Sequence, residues 1–229
     1  MEFDQEEKGM SPRTVFYNEL RQLKENVTGM AQRATQNYER LFESYEKKDE
    51  EELRKIIAID KEINKKQREI ESQCLFLITK QQPIVSDLRV VTASLKVVTD
   101  IERVGDHVAD MAELLLRLNM KELSGYSVHL LPMINVAKEM ILTAVSAFVD
   151  RDQEAAQEAI RKDDEVDELF NQVKTDVIEA LKKEAGNVDE LTDILMIAKY
   201  LEKIGDHAVN IGEWEIFQET GNIRDMRLL

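Results

Sequence analysis

Cysteine, proline and glycine are all scarce in this chain, and each scarcity excludes something. Cys74 is the one cysteine among 229 residues, so no internal disulfide can form, and a reducing compartment suits the chain. Cys74 lies in the apolar run CLFLI and reads as a core residue. Three prolines and eight glycines leave little turn chemistry, which favours long helices over many short strands. No run approaches the roughly 20 apolar residues of a membrane span. The N-terminus shows no signal-peptide pattern, so a cytosolic protein without direct membrane insertion is expected. Positive charge is also deficient. The formal net charge of −15 repels phosphate backbones and argues against direct nucleic-acid binding. The sequence has no G-x-S-x-G elbow, P-loop or other nucleophilic constellation, so no catalytic residue is assigned and no enzyme is expected.

The abundant feature is a repeat. The segment DIERVGDHVADMAE (100–113) is echoed by YLEKIGDHAVNIGE (200–213). Glu102, Gly105, Asp106, His107 and Glu113 match Glu202, Gly205, Asp206, His207 and Glu213 at one constant offset. A second echo links DKEINKKQREI (60–70) to DDEVDELFNQV (163–173). One structural unit has been used twice.

Periodicity and breakers predict an all-α fold of six long antiparallel helices, about 14–45, 49–81, 83–119, 131–149, 152–184 and 187–218. Lys121 to Ser127 reads as a loop around Gly125. Pro132 suits a first turn, Gly186 a C′ position, and Asn187 with Glu190 a capping pair. The division is two pseudo-symmetric three-helix bundles, 10–119 and 125–229. Residues 1–9 are polar and aperiodic and read as a disordered tail or an appended tag, with Met10 as an alternative start.

Each unit concentrates acids. Side chains at i, i+4 and i+8 share one helical stripe, where like charges repel by roughly 0.2–0.5 kcal/mol per pair. Glu102, Asp106 and Asp110 form such a row, and Glu202, Asp206 and Asn210 form the other. The tight links near 82 and 186 fold each neighbouring helix back. At about 1.5 Å per residue, Asp60 and Asn64 then stand level with Glu102 and Asp106. Asp163 and Asp167 likewise stand level with Glu202 and Asp206. Four oxygen-bearing side chains across each seam suit a hard cation such as magnesium, manganese or iron, and zinc less well. Neutralisation by Arg103, Lys203 and Arg89 without any metal is the rival explanation.

His107 and His207 sit five residues from their glutamates, about 140° around the helix. They point away from the acids, towards packing or surface roles, with a ligand role as the lesser alternative. His129 has no motif around it. Gly105 and Gly205 suggest close helix contacts, because mid-helix glycine costs about 1 kcal/mol relative to alanine. Trp214, Phe217, Leu75 and Phe76 read as core or interface residues. An E-x-x-H pair at i, i+3, which a ferritin-like di-iron site uses, is not the pattern here.

The stretches QQPIVSDLRVVTASLKVVTDIERVGDHVADMAE (81–113) and AKYLEKIGDHAVNIGE (198–213) resemble the two signature helices of the PhoU family of bacterial phosphate-signalling regulators. The similarity covers about 12–218, with the two-repeat order. It implies six helices in two bundles, with metal on E/D-x-x-x-D motifs, in some members as multinuclear iron clusters. Those motifs fall on Glu102, Asp106 and Asp110, on Glu202, Asp206 and Asn210, on Asp60 and Asn64, and on Asp163 and Asp167. Asn210 fits the family's usual second repeat, whereas Asn64 lowers the negative charge of the first. The resemblance also implies a negative regulator of the phosphate regulon. Such a regulator links the ATPase subunit of the phosphate ABC transporter to a phosphate-sensing histidine kinase, often as a homodimer. A metal-free helical scaffold and a carboxylate-bridged metalloenzyme are the alternatives.

Overall fold

A computed structural model describes residues 12–118, 127–184, 187–223 and 226–227. The expected tail at 1–9, most of the loop around Gly125, and Gly186 lie outside the described residues. The first repeat contains α1 (Pro12–Lys47), α2 (Glu50–Gln81) and α3 (Val85–Arg117). The second contains α4 (Leu130–Asp150), α5 (Gln153–Arg161), α6 (Asp163–Lys182) and α7 (Val188–Thr220). A short antiparallel hairpin follows, β1 (Asn222–Ile223) and β2 (Met226–Arg227), with Ile223 paired to Met226. The periodicity gave no sign of it.

Local chemistry sets the helix ends. Asp49 caps α2 by accepting from the Glu52 amide at 3.0 Å, and three glutamates follow in the first turn, where the helix dipole favours them. Gln82 is left-handed at φ 46°, and Pro83 then prevents continuation of α2. Asn187 caps α7 by accepting from the Asp189 amide at 3.0 Å. Gly221, at φ 77°, ends α7 with its N–H on the Phe217 carbonyl at 2.7 Å.

The fifth helix departs from expectation, because 152–184 is two helices. At Lys162 the amide bonds the Ala159 carbonyl, a tighter turn than an α-helix makes. Asp163, Asp164 and Glu165 then occupy the first turn of α6, where acids are favoured. A uniform polar and apolar alternation runs through the break, so periodicity does not reveal it.

The third helices of the two repeats form the spine. Arg89 of α3 bonds the Glu219 carbonyl of α7, Asp100 meets His207, and Arg117 pairs with Asp193, so α3 and α7 run antiparallel. The remaining helices pack outside them: α1 and α2 on α3, and α4, α5 and α6 on α7. One continuous apolar core crosses both repeats. Cys74 is buried within it, as expected. Phe217 is also buried, and Trp214 packs against the core. Leu75 and Phe76 are exposed, at 55% and 47%, so of the two roles expected for them the core is ruled out.

Among the described residues α4 is the one helix long and apolar enough, by length and composition, to cross a membrane, although Lys138 and Glu139 interrupt its apolar run. Its stripe of Met133, Ala137, Met140, Ile141 and Ala144 is buried in the protein core. A helix covered by α1, α5, α6 and α7 needs apolar residues over most of its circumference.

Gly29 stands in the middle of α1, and a Cβ there would meet nothing within 4 Å. Gly29→Ala is expected to stabilise the fold by about 1 kcal/mol through helix propensity. Urea denaturation checks it, and a loss of stability would show that the glycine has a packing role.

Candidate metal-binding seams

The acids of α2 and α3 meet where the helices come closest. A Cβ added to Gly105 would lie 3.2 Å from the Ile63 side chain and 3.7 Å from Asp60 Oδ1. The second repeat has the same construction, with Val166 Cγ1 at 3.4 Å and Asp163 Oδ1 at 3.5 Å from the equivalent point on Gly205. Only Ile63 would crowd such a Cβ; both acids and Val166 would stand at ordinary contact distance from it. The matched heights follow from the short links and the helix rise.

In the first seam Asn64 Nδ2 donates to Asp60 Oδ2 at 2.9 Å. Asp60 Oδ1 and Asn64 Oδ1 are buried with no hydrogen-bond partner. Asp60 lies within hydrogen-bonding reach of Asp106. Burial first, then the charges of Asp106 and Asp110, hold the Asp60 carboxyl above the usual carboxylate range. Glu102 is raised mainly by burial and then by Asp106, against the opposing pull of Arg103. Asp110 is raised by burial, while a bond from Tyr200 opposes the shift.

In the second seam Asp163 is pushed up to about 6, by burial first and then by Asp167, Asp206, Asp164 and Glu202. Asp167 is exposed, although its charge acts on Asp163. Basic residues reach the third-helix acids in both copies. Arg103 lies 3.0 Å from Asp106 and 3.6 Å from Glu102. Lys203 lies 2.5 Å from Asp206 and 3.4 Å from Glu202, and Lys199 lies 2.6 Å from Glu202. Arg89 does otherwise and bonds the Glu219 carbonyl.

Asp60 and Asp163 thus differ from the acids they face. Neither has an ion pair among the described residues, although both are crowded by carboxylates. Two buried oxygens without donors in the first seam, and one acid without an ion pair in each, fit a small oxygen-preferring cation. The side chains stand in rows rather than in a closed cage. Among the described residues, no three acids, histidines or cysteines converge closely enough to hold one ion. A cation would need these side chains to turn inward, away from Arg103 and Lys203. A groove of about 610 Å³ between α1 and α2 is lined on α2 by Glu62, Lys65, Lys66 and Glu69 rather than by Asp60 or Asn64.

Two residues expected in the acid rows also serve the spine. Asn210 donates to Asp100 Oδ1 at 3.0 Å, and Asp110 takes the hydroxyl of Tyr200. The histidines join the same arrangement. His207 Nδ1 lies 2.9 Å from Asp100 Oδ1, and the His107 ring stands 5.3 Å from the Tyr200 ring. His107 and His207 face each other at 5.5 Å. Residues 207 and 210 therefore grip position 100, and 107 and 110 grip position 200, as a two-fold relation between the repeats requires. Burial, followed by His207, lowers the His107 pKa to about 4, so the His107 ring is neutral at pH 7. The packing role expected for the histidines holds. Their mutual contact follows only from the antiparallel spine. His129 also has a partner that no motif announced: its Nδ1 lies 2.7 Å from Asp176 Oδ2, which also accepts from Ser127.

Known proteins share this architecture. The PhoU domain model matches the chain twice, over residues 27–115 and 130–214. The phosphate-specific transport system accessory protein PhoU homolog of Clostridium acetobutylicum is 35% identical over 215 residues, which span 93% of this chain and 98% of that protein. The crystal structure of the phosphate transport system regulatory protein PhoU from Streptococcus pneumoniae superposes with a TM-score of 0.83 at 29% identity, covering 92% of this chain and all of the other. PhoU from Pseudomonas aeruginosa superposes with a TM-score of 0.84 at 25% identity, over 90% of this chain. With both repeats matched and the acid-bearing helices of each inside the matched spans, the chain belongs to the PhoU family.

Proposed function

We propose that this protein is an accessory regulator of phosphate transport that restrains uptake and represses the phosphate regulon when phosphate is plentiful. The observation that carries this reading is the near end-to-end match to an accessory protein of the phosphate-specific transport system. In this reading the protein works at the cytoplasmic side as a homodimeric adaptor. It contacts the ATPase subunit of the phosphate ABC transporter and a phosphate-sensing histidine kinase, and it catalyses no reaction of its own. Deleting the gene is expected to raise phosphate uptake and regulon expression at high phosphate. Unchanged uptake and expression would remove the assignment.

The acid seams are read as cation sites that set the shape of the adaptor. Asp60, Asn64, Glu102, Asp106 and Asp110 would hold the ion in the first repeat. Asp163, Asp167, Glu202, Asp206 and Asn210 would hold it in the second. Iron, manganese, magnesium or zinc would supply there the positive charge that Asp60 and Asp163 lack. The hard donor set and the buried oxygens without donors support this. A metal-free scaffold is the second reading, favoured by the ion pairs of Arg103, Lys199 and Lys203 with the same acids.

A further inference from the structure

The last turns of α7 bury a carboxyl that has no ion pair among the described residues. Glu215 has 0% exposure. Gln218, nearly one turn later, donates its side-chain amide to Oε2, while Oε1 is buried without a partner. The charged groups around it come from several elements. Lys24 reaches towards it from α1, and Arg151 from the α4–α5 link. Glu219 adds negative charge on the same helix. Neither cation is paired with Glu215, and Arg151 lies 3.6 Å from Glu219 instead. From α3, Arg89 donates to the Glu219 carbonyl at 3.1 Å. From α5, the Ala156 carbonyl and Ile160 close on Gly212, less than one turn before Glu215.

An isolated carboxylate in such a place is strongly disfavoured, and the group escapes the penalty by keeping its proton. Burial is the main cause that pushes Glu215 up to about 7, with Glu219 adding to it. The Gln218 amide, Arg151 and Lys24 pull the other way without prevailing.

We infer that Glu215 is a proton-controlled lock on the C-terminal end of α7. With its proton it stays buried and holds this end against α3 and α5. When it ionises, the end loosens. Trp214 and Phe217, edge-to-face at 5.2 Å, and the hairpin after Gly221 move with it. A carboxyl whose folded pKa lies above its ordinary value stabilises fully below that ordinary value, and the contribution is lost as pH rises through the folded value. The window therefore runs from about 4.5 to about 7.

Trp214 is the only tryptophan and reports directly on this end. Thermal melting and Trp214 emission of the full chain are measured from pH 5 to 8.5, for wild type, Glu215→Gln and Asp163→Asn. Wild type should lose roughly 5 °C of melting temperature across the range, since 1 kcal/mol corresponds to a few degrees at this size. Its emission should shift to the red with a midpoint near 7. Glu215→Gln should show no emission midpoint near 7 and should keep only the smaller melting loss that Asp163 causes as pH rises through about 6, while Asp163→Asn should keep the emission midpoint near 7. No midpoint in wild type, or an unchanged one in Glu215→Gln, overturns the proposal. If Glu215→Gln does not fold, hydrogen exchange of wild type at pH 6 and 8, corrected for intrinsic rates, decides. Faster exchange confined to the end of α7 supports the lock, and a uniform change overturns it.

Discussion

Tyr38→Ala is expected to cost about 3–5 kcal/mol, the usual range for removing a buried aromatic ring. Tyr38 lies on α1 at 1% exposure, with its ring edge-on to Phe42 at 5.3 Å. Its hydroxyl donates to the Ile134 carbonyl on α4 at 2.7 Å. The side chain thus joins the first repeat to the second from outside the spine. Burial raises the phenol pKa well above the ordinary value, so the hydroxyl stays a donor at every accessible pH. Tyr38→Phe keeps the packing and loses one hydrogen bond, a cost of about 1 kcal/mol. Urea unfolding of both variants separates the two effects. Equal losses in Phe and Ala would mean that the inter-repeat bond, rather than the ring, carries the stability.

Asp163→Asn is expected to act in opposite directions with and without metal. Asp163 is held at about 6 in the fold, above its ordinary 3.8. Its contribution is therefore intact below about 3.8 and is lost as pH rises through about 6. At pH 8 the wild type carries the repulsion, and the amide removes it. Half-exposed acids are screened by solvent, so the gain in metal-free protein is on the order of 1 kcal/mol. With a divalent cation at about a hundred times its dissociation constant, wild type should gain about 2.7 kcal/mol per site. Asp163→Asn should lose most of the gain from the second seam. Glu202→Ala with Asp206→Ala should empty that seam and leave the first one loaded, because the two seams lie on different helix pairs. Elemental analysis together with calorimetric melting before and after chelation checks this. Metal lost from both seams at once would sink the two-site reading. No metal in any form, with unchanged melting, would leave the ion pairs of Arg103 and Lys203 as the whole account of the acid rows.

Much of the site geometry was legible because it depends on counting along helices. The rise per residue and a short link place Asp60 beside Asp106 and Asp163 beside Asp206, whatever the rest of the fold does. The mid-helix glycine of the first repeat marked a close approach, since a Cβ on Gly105 would stand 3.2 Å from Ile63, whereas Gly205 has ordinary contact room. The grip of His207 on Asp100 was not legible, since the two residues lie on different repeats and no local pattern relates them. The break at Lys162 was hidden because both helices continue one amphipathic pattern across a single tightened turn. Leu75 and Phe76 were not resolved because an apolar side chain on a helix states only that burial would be favourable, and among the described residues they stay about half exposed.

The sequence by itself determined the duplication, the helical class and the acid rows. Each of these is a periodicity that a chain carries locally. Tertiary structure decided how the repeats share one core, which acids keep a cation beside them, and which carboxyl loses water altogether. Glu215 and Glu213 look alike in the sequence, yet Glu215 has no exposure while Glu213 retains some. Burial depends on which helices pack against that turn, and those helices come from both repeats. Desolvation and charge pairing act through space, so they exist only once α3, α4 and α5 have closed around α7.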